Sequence, residues 1–95
     1  AAQVEHALRH VQEHGHAVRA LLMGGCSSEF IGALREAAFG RIRKATRDDY
    51  AARFLTGALV ETIVRWVETD FADEPRTLAA SYAAQAAGVL ETGGA

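Results

Sequence analysis

The sequence predicts an all-α fold of five helices, and three observations carry that expectation. Apolar residues recur at helical spacing through most of the 95-residue chain. The composition is 49% hydrophobic, with 20 alanines, four phenylalanines and a single proline, which suits closely packed helices better than a sheet. Glycine pairs and the proline fall between the periodic stretches, where helices stop and start.

In the first helix Val4, Ala7, Leu8 and Val11 mark one face, with an end expected near Gly15. A short second helix runs from Ala17 to Met23, with Val18, Leu21 and Leu22 apolar, and Gly24-Gly25 stops it. Ser27 or Ser28 is expected to cap a third helix, whose stripe is Phe30, Ile31, Leu34, Ala37, Ala38 and Ile42, with Phe39 on the other side. Thr46 and Asp49 resemble a capping box ahead of a fourth helix that reaches about Asp70. Phe71-Ala72-Asp73-Glu74 links it to a fifth helix opened by Pro75, whose missing N–H is not needed in a first turn, and running to about Leu90. The chain reads as one domain over 1–92 with a flexible tail at 93–95.

The net charge is −2, which gives no basic footprint for nucleic acid. One cysteine, Cys26, excludes an internal disulfide and suits a reducing compartment. No apolar run approaches the roughly 20 residues of a membrane span, and no signal peptide is visible, so a cytoplasmic protein is expected. Nine arginines against one lysine, with the alanine bias, match GC-rich bacterial coding.

The fourth helix is unusually apolar. On a wheel, Ala52, Leu55, Leu59, Val60, Thr62, Ile63, Val64, Trp66, Val67 and Phe71 occupy an arc of roughly 200°, twice what one core-facing stripe needs. Even the wet side of its first half carries Tyr50, Phe54 and Gly57. The fifth helix sets a stripe of Leu78, Tyr82, Ala86, Val89 and Leu90 beside small residues Ala80, Ala83, Ala84 and Ala87, which allow close helix approach. The two helices together predict a two-fold interface through Leu55, Leu59, Ile63, Trp66, Ala80, Ala83, Ala84 and Ala87.

The run Phe54-Leu55-Thr56-Gly57, then Arg65-Trp66-Val67, then Asp73-Glu74-Pro75 resembles the C-terminal regulatory domain of TetR-type transcriptional repressors. Val11 to Leu22 and Phe30 to Ile42 resemble the helices that precede that pair, so the likeness spans nearly the whole chain. Glu74, where small capping residues are common, departs from the pattern. The resemblance implies a five-helix bundle whose last two helices build a dimeric four-helix bundle. It also implies a small-molecule effector in an internal pocket, and operator DNA read by an N-terminal helix-turn-helix domain. No helix-turn-helix precedes residue 1, so this chain is expected to be the regulatory part of such a protein, not binding DNA by itself.

Met23, Phe30, Leu34, Tyr50 and Phe54 are the candidate ligand-binding residues, large apolar side chains with Tyr50 as a polar handle; the alternative is that they simply fill the core. A homodimerisation module without a pocket is the second reading. The third is a metal-binding bundle, because His6, His10 and His14 line one helix face and imidazoles one turn apart can chelate zinc or nickel. A solvated face is the simpler account of that row, and no cofactor is expected. Arg41, Arg43, Lys44 and Arg47 cluster at the end of the third helix, where cations suit its dipole. Gly24-Gly25-Cys26-Ser27-Ser28 lacks the strand and the Gly-Lys-Ser/Thr of a P-loop. No nucleophile–base arrangement or paired carboxylates on an apolar face can be singled out, so an enzyme is not expected.

Overall fold

The computed structural model describes residues 2–93 and is all-helical among them. Five helices follow one another: α1 Ala2–Glu13, α2 Gly15–Met23, α3 Ser27–Ile42, α4 Asp49–Glu68 and α5 Pro75–Gly93. The tail expected at 93–95 begins within the last turn of α5 and otherwise lies outside the described residues.

Helix α4 is the hub. It packs against α2, α3 and α5, while α1 packs chiefly on α5 and also on α2. This explains the width of its apolar arc. Ala52, Leu55, Val60, Ile63, Trp66 and Val67 are all buried within the chain, on sides of the helix that meet different neighbours. The excess that pointed to an external partner is therefore largely consumed by three internal ones. Leu8 of α1, Val18 of α2, Ala79 of α5 and the α4 trio Ile63, Trp66 and Val67 form the buried cluster, with Phe30 and Leu34 of α3 packed against it. Each fully buried side chain of this kind contributes about 1.5–3 kcal/mol.

The start of α4 differs from the expected capping box. Asp48 is the cap: one of its carboxylate oxygens accepts from the Tyr50 and Ala51 N–H groups at 3.0 and 3.1 Å. Thr46 supports that cap, its hydroxyl accepting from the Asp48 N–H at 3.2 Å. Asp49 instead pairs with Arg53 one turn later. At α3 neither serine caps; Cys26 holds that position without a side-chain hydrogen bond.

Helix α4 ends in a Schellman turn made without glycine. The Phe71 N–H donates to the Trp66 carbonyl at 2.8 Å and the Asp70 N–H to the Val67 carbonyl at 2.9 Å. Asp70 and Phe71 both adopt left-handed backbone, with φ of 57° and 58°. Phe71 thus leaves the helix and folds back, its ring meeting the Trp66 indole edge-to-face with centroids 4.9 Å apart. The indole Nε1–H of Trp66 donates to the Asp73 carbonyl at 2.9 Å, pinning the linker that delivers Pro75 to the first turn of α5. The same ring explains Gly15 at the α1–α2 joint: a Cβ there would stand 3.0 Å from the Phe71 ring.

Candidate functional site

An apolar cavity of about 370 Å3 lies among α1, α3, α4 and α5, within the usual range of small-ligand sites. Its inner wall is made by buried Leu8, Ala38, Leu55 and Ile63, with Leu59 half-buried beside them. Helix α5 closes one side with Ala83, Ala86 and Leu90. Exposed Gln3, Ala7, Arg41, Ala45 and Ala87 form the rim. The void has a local cause. Where α5 faces α1 and α4 it presents alanines, and short side chains there leave space that larger residues would fill.

Tyr82 is the polar feature of the interior. Its hydroxyl donates to the Leu55 carbonyl at 2.8 Å, tying α5 to α4. Burial pushes its phenol above the ordinary value of 10.0, so it stays a neutral donor at physiological pH.

Two further depressions flank the α4–α5 seam. One, of about 630 Å3, is larger than the cavity but sets Glu61, Arg65 and Asp73 beside Ala58, Trp66 and Leu78, so charged side chains share its lining. The other, of about 250 Å3, runs past Phe54, Ala58, Leu78, Gln85 and Val89. The first cavity is the better ligand site because buried aliphatic side chains wall it.

None of Met23, Phe30, Leu34, Tyr50 and Phe54 lines that cavity. Phe30 and Leu34 are half-buried against the core. Met23, Tyr50 and Phe54 stand 58%, 83% and 65% exposed. In the first turns of α4, Tyr50 and Phe54 face outward while Ala51, Ala52 and Leu55 turn in. The residues expected at a two-fold interface also separate. Leu55, Ile63 and Trp66 are buried inside the chain, and Leu59 and Ala83 line the cavity. Ala80, Ala84 and Ala87 are exposed along α5. The eight therefore do not share one open face. The signal that sequence patterning missed is that Ala83, of the small-residue stripe, and Ala86, of the stripe beside it, line the cavity with short side chains.

His6, His10 and His14 are exposed, and the His10 and His14 rings meet edge-to-face at 4.7 Å. Among the described residues no three His, Cys, Asp or Glu side chains are grouped to hold a metal ion. Cys26 is exposed. No described helix is long and apolar enough to cross a membrane.

The fold and the cavity define a class, an all-α five-helix bundle with an apolar cleft open on one side. No protein-family model, curated protein or solved structure significantly matches the chain.

Proposed function

We propose that this chain is a ligand-sensing regulatory domain of the TetR type, working in the bacterial cytoplasm and holding a small, largely apolar molecule among α1, α3, α4 and α5. The observation that carries the reading is the cavity walled by Leu8, Leu55 and Ile63 and left open by Ala83 and Ala86. Helix α1 forms one wall and is held mainly by α5 and α2. A ligand that fills the space favours one setting of α1 against α5 and shifts the population toward it. A DNA-reading head joined ahead of α1 would move with that helix, which is how binding would reach operator DNA.

The test is a calorimetric titration with 1-decanol, below its solubility limit, on the unaltered chain and on Ala86→Leu, which fills the cavity. The reading expects saturable one-to-one binding that Ala86→Leu weakens at least about tenfold. Ligand at ten times its Kd stabilises the fold by about 1.4 kcal/mol, which raises the melting temperature by roughly 6–11 °C in a domain of this size. Absence of binding, or equal binding by both proteins, overturns it.

A dimerisation module without a functional pocket is the second reading. It is favoured by Phe54, a large apolar side chain left 65% exposed beside the groove that Leu78 and Val89 share. Sedimentation velocity over a range of concentrations decides it; a monomer throughout would remove homodimerisation from both readings.

A further inference from the structure

We infer that the cavity's ligand is an amphipathic anion, an apolar tail of medium length carrying a small acid group such as a carboxylate, with Arg41 holding the head at the rim. This inference rests on the proposed ligand cavity and adds the chemistry of what occupies it.

Among the described residues that line the cavity, Arg41 is the single charged side chain. It has no hydrogen-bond or ion-pair partner among the described residues. Five other arginines are engaged, while the side chains of Arg35, Arg47 and Arg76 have no such partner among the described residues but do not line the cavity. Arg9 pairs with Glu5, Arg53 with Asp49 and Arg65 with Glu68. Arg19 reaches Asp70 and the Val67 carbonyl, and Arg43 donates to the Thr46 and Arg47 carbonyls. Of the acids near it, Glu5 pairs with Arg9, Asp48 caps α4 and Asp49 pairs with Arg53, while Glu91, exposed beside Leu90, is not among the lining residues. Arg41 sits in the last turn of α3, where the helix dipole favours a cation without supplying a counter-ion. Its guanidinium is permanently charged and offers the paired donors that fit a carboxylate.

The interior sets the other end of the ligand. Its walls are aliphatic, and the one hydroxyl among the described lining residues, on Tyr82, already donates to the Leu55 carbonyl at 2.8 Å. A charged head placed inside would be desolvated with no free donor to meet it. The head therefore stays at the rim and the tail goes in. No acidic side chain among the described residues lines the cavity, so an ammonium head finds no partner among them. At about 30 Å3 for each atom-sized volume, the 370 Å3 of space holds roughly a dozen heavy atoms, the length of a medium-chain acid.

The test is calorimetry with decanoate, 1-decanol and decyltrimethylammonium, each monomeric, on the unaltered chain, Arg41→Gln and Arg47→Gln. Decanoate should bind about five- to tenfold tighter than decanol, the span between an exposed ion pair and a charge-assisted hydrogen bond. That advantage should shrink as salt rises. Arg41→Gln should bring decanoate down to the level of decanol and leave decanol unchanged, and Arg47→Gln should alter neither. Decanol or the ammonium matching decanoate, or Arg41→Gln leaving decanoate unchanged, overturns the anionic head and leaves the cavity reading standing. An equal loss in Arg47→Gln overturns the contact with Arg41 and reduces it to general charge attraction. Failure of decanol to bind overturns the cavity reading and this inference with it.

Discussion

The hydroxyl of Tyr82 donates to the Leu55 carbonyl at 2.8 Å, so one hydrogen bond joins α5 to the central helix at the wall of the cavity. Removing it alone, by Tyr82→Phe, should cost about 1 kcal/mol, the net worth of such a bond. The exposed Tyr50 is the control: Tyr50→Phe should leave the melting temperature at neutral pH unchanged. The bond also gives a pH signature. Burial raises the folded-state pKa of Tyr82 above the unfolded value of 10.0. Its contribution is thus whole below that value and is lost as pH rises through the raised one. Thermal melts from about pH 9 to about pH 11.5 should fall more steeply for the unaltered chain than for Tyr82→Phe.

Trp66 carries the other junction between α4 and α5. It is 2% exposed, meets Phe71 edge-to-face and donates to the Asp73 carbonyl. Trp66→Ala should cost about 3–5 kcal/mol. Against the low end of the 5–15 kcal/mol that holds a typical domain, that leaves a margin of only about 0–2 kcal/mol. Trp66→Phe keeps most of the packing and loses the hydrogen bond, so a loss of about 1–2 kcal/mol is expected. Urea unfolding followed by far-UV circular dichroism measures both.

Gly15 and Phe71 are coupled across the fold, since a Cβ at Gly15 would lie 3.0 Å from the ring. Gly15→Ala gains up to about 1 kcal/mol of helix propensity but forces a packed ring to move, at about 1–3 kcal/mol. The substitution should therefore fail to stabilise the protein. In a double-mutant cycle with Phe71→Leu, which removes part of the ring, the penalty should shrink by at least about 0.5 kcal/mol.

The second reading makes its own prediction at Phe54. If two copies meet over the α4–α5 groove, Phe54→Glu should raise the dimer dissociation constant at least about tenfold by placing a charge in the contact. The melting temperature of the monomer should hardly change, because Phe54 is already solvent-facing. Ala84→Glu, on the exposed side of α5, should leave association intact; sedimentation velocity reads both.

Helix number and most boundaries were legible because local chemistry writes them: the stop at Gly24-Gly25 and the opening at Pro75 fall where expected. The caps were less so. Thr46, Asp48 and Asp49 can all cap, and which one does depends on backbone the sequence pattern does not reveal. The apolar width of α4 was legible, but a helical wheel says how much surface must be covered and not by what. Leu55, Ile63 and Trp66 are covered from within by neighbouring helices. Phe71 fell on the α4 wheel, yet it leaves the helix through left-handed backbone and returns to Trp66. The place of the cavity was not legible, and none of the five residues expected to line a pocket lines it. A void depends on the spacing of helix axes, and alanines such as Ala83 and Ala86 read alike as close packing or as empty space.

The central claim is that the space among α1, α3, α4 and α5 takes an apolar ligand. The most direct measurement is a methyl NMR titration of alanine-labelled protein with 1-decanol. Shifts should concentrate at Ala38, Ala83 and Ala86, which line the cavity, and spare the exposed Ala33, Ala72 and Ala80. Shifts spread over the outer alanines, or none at the lining ones at saturating decanol, would contradict it.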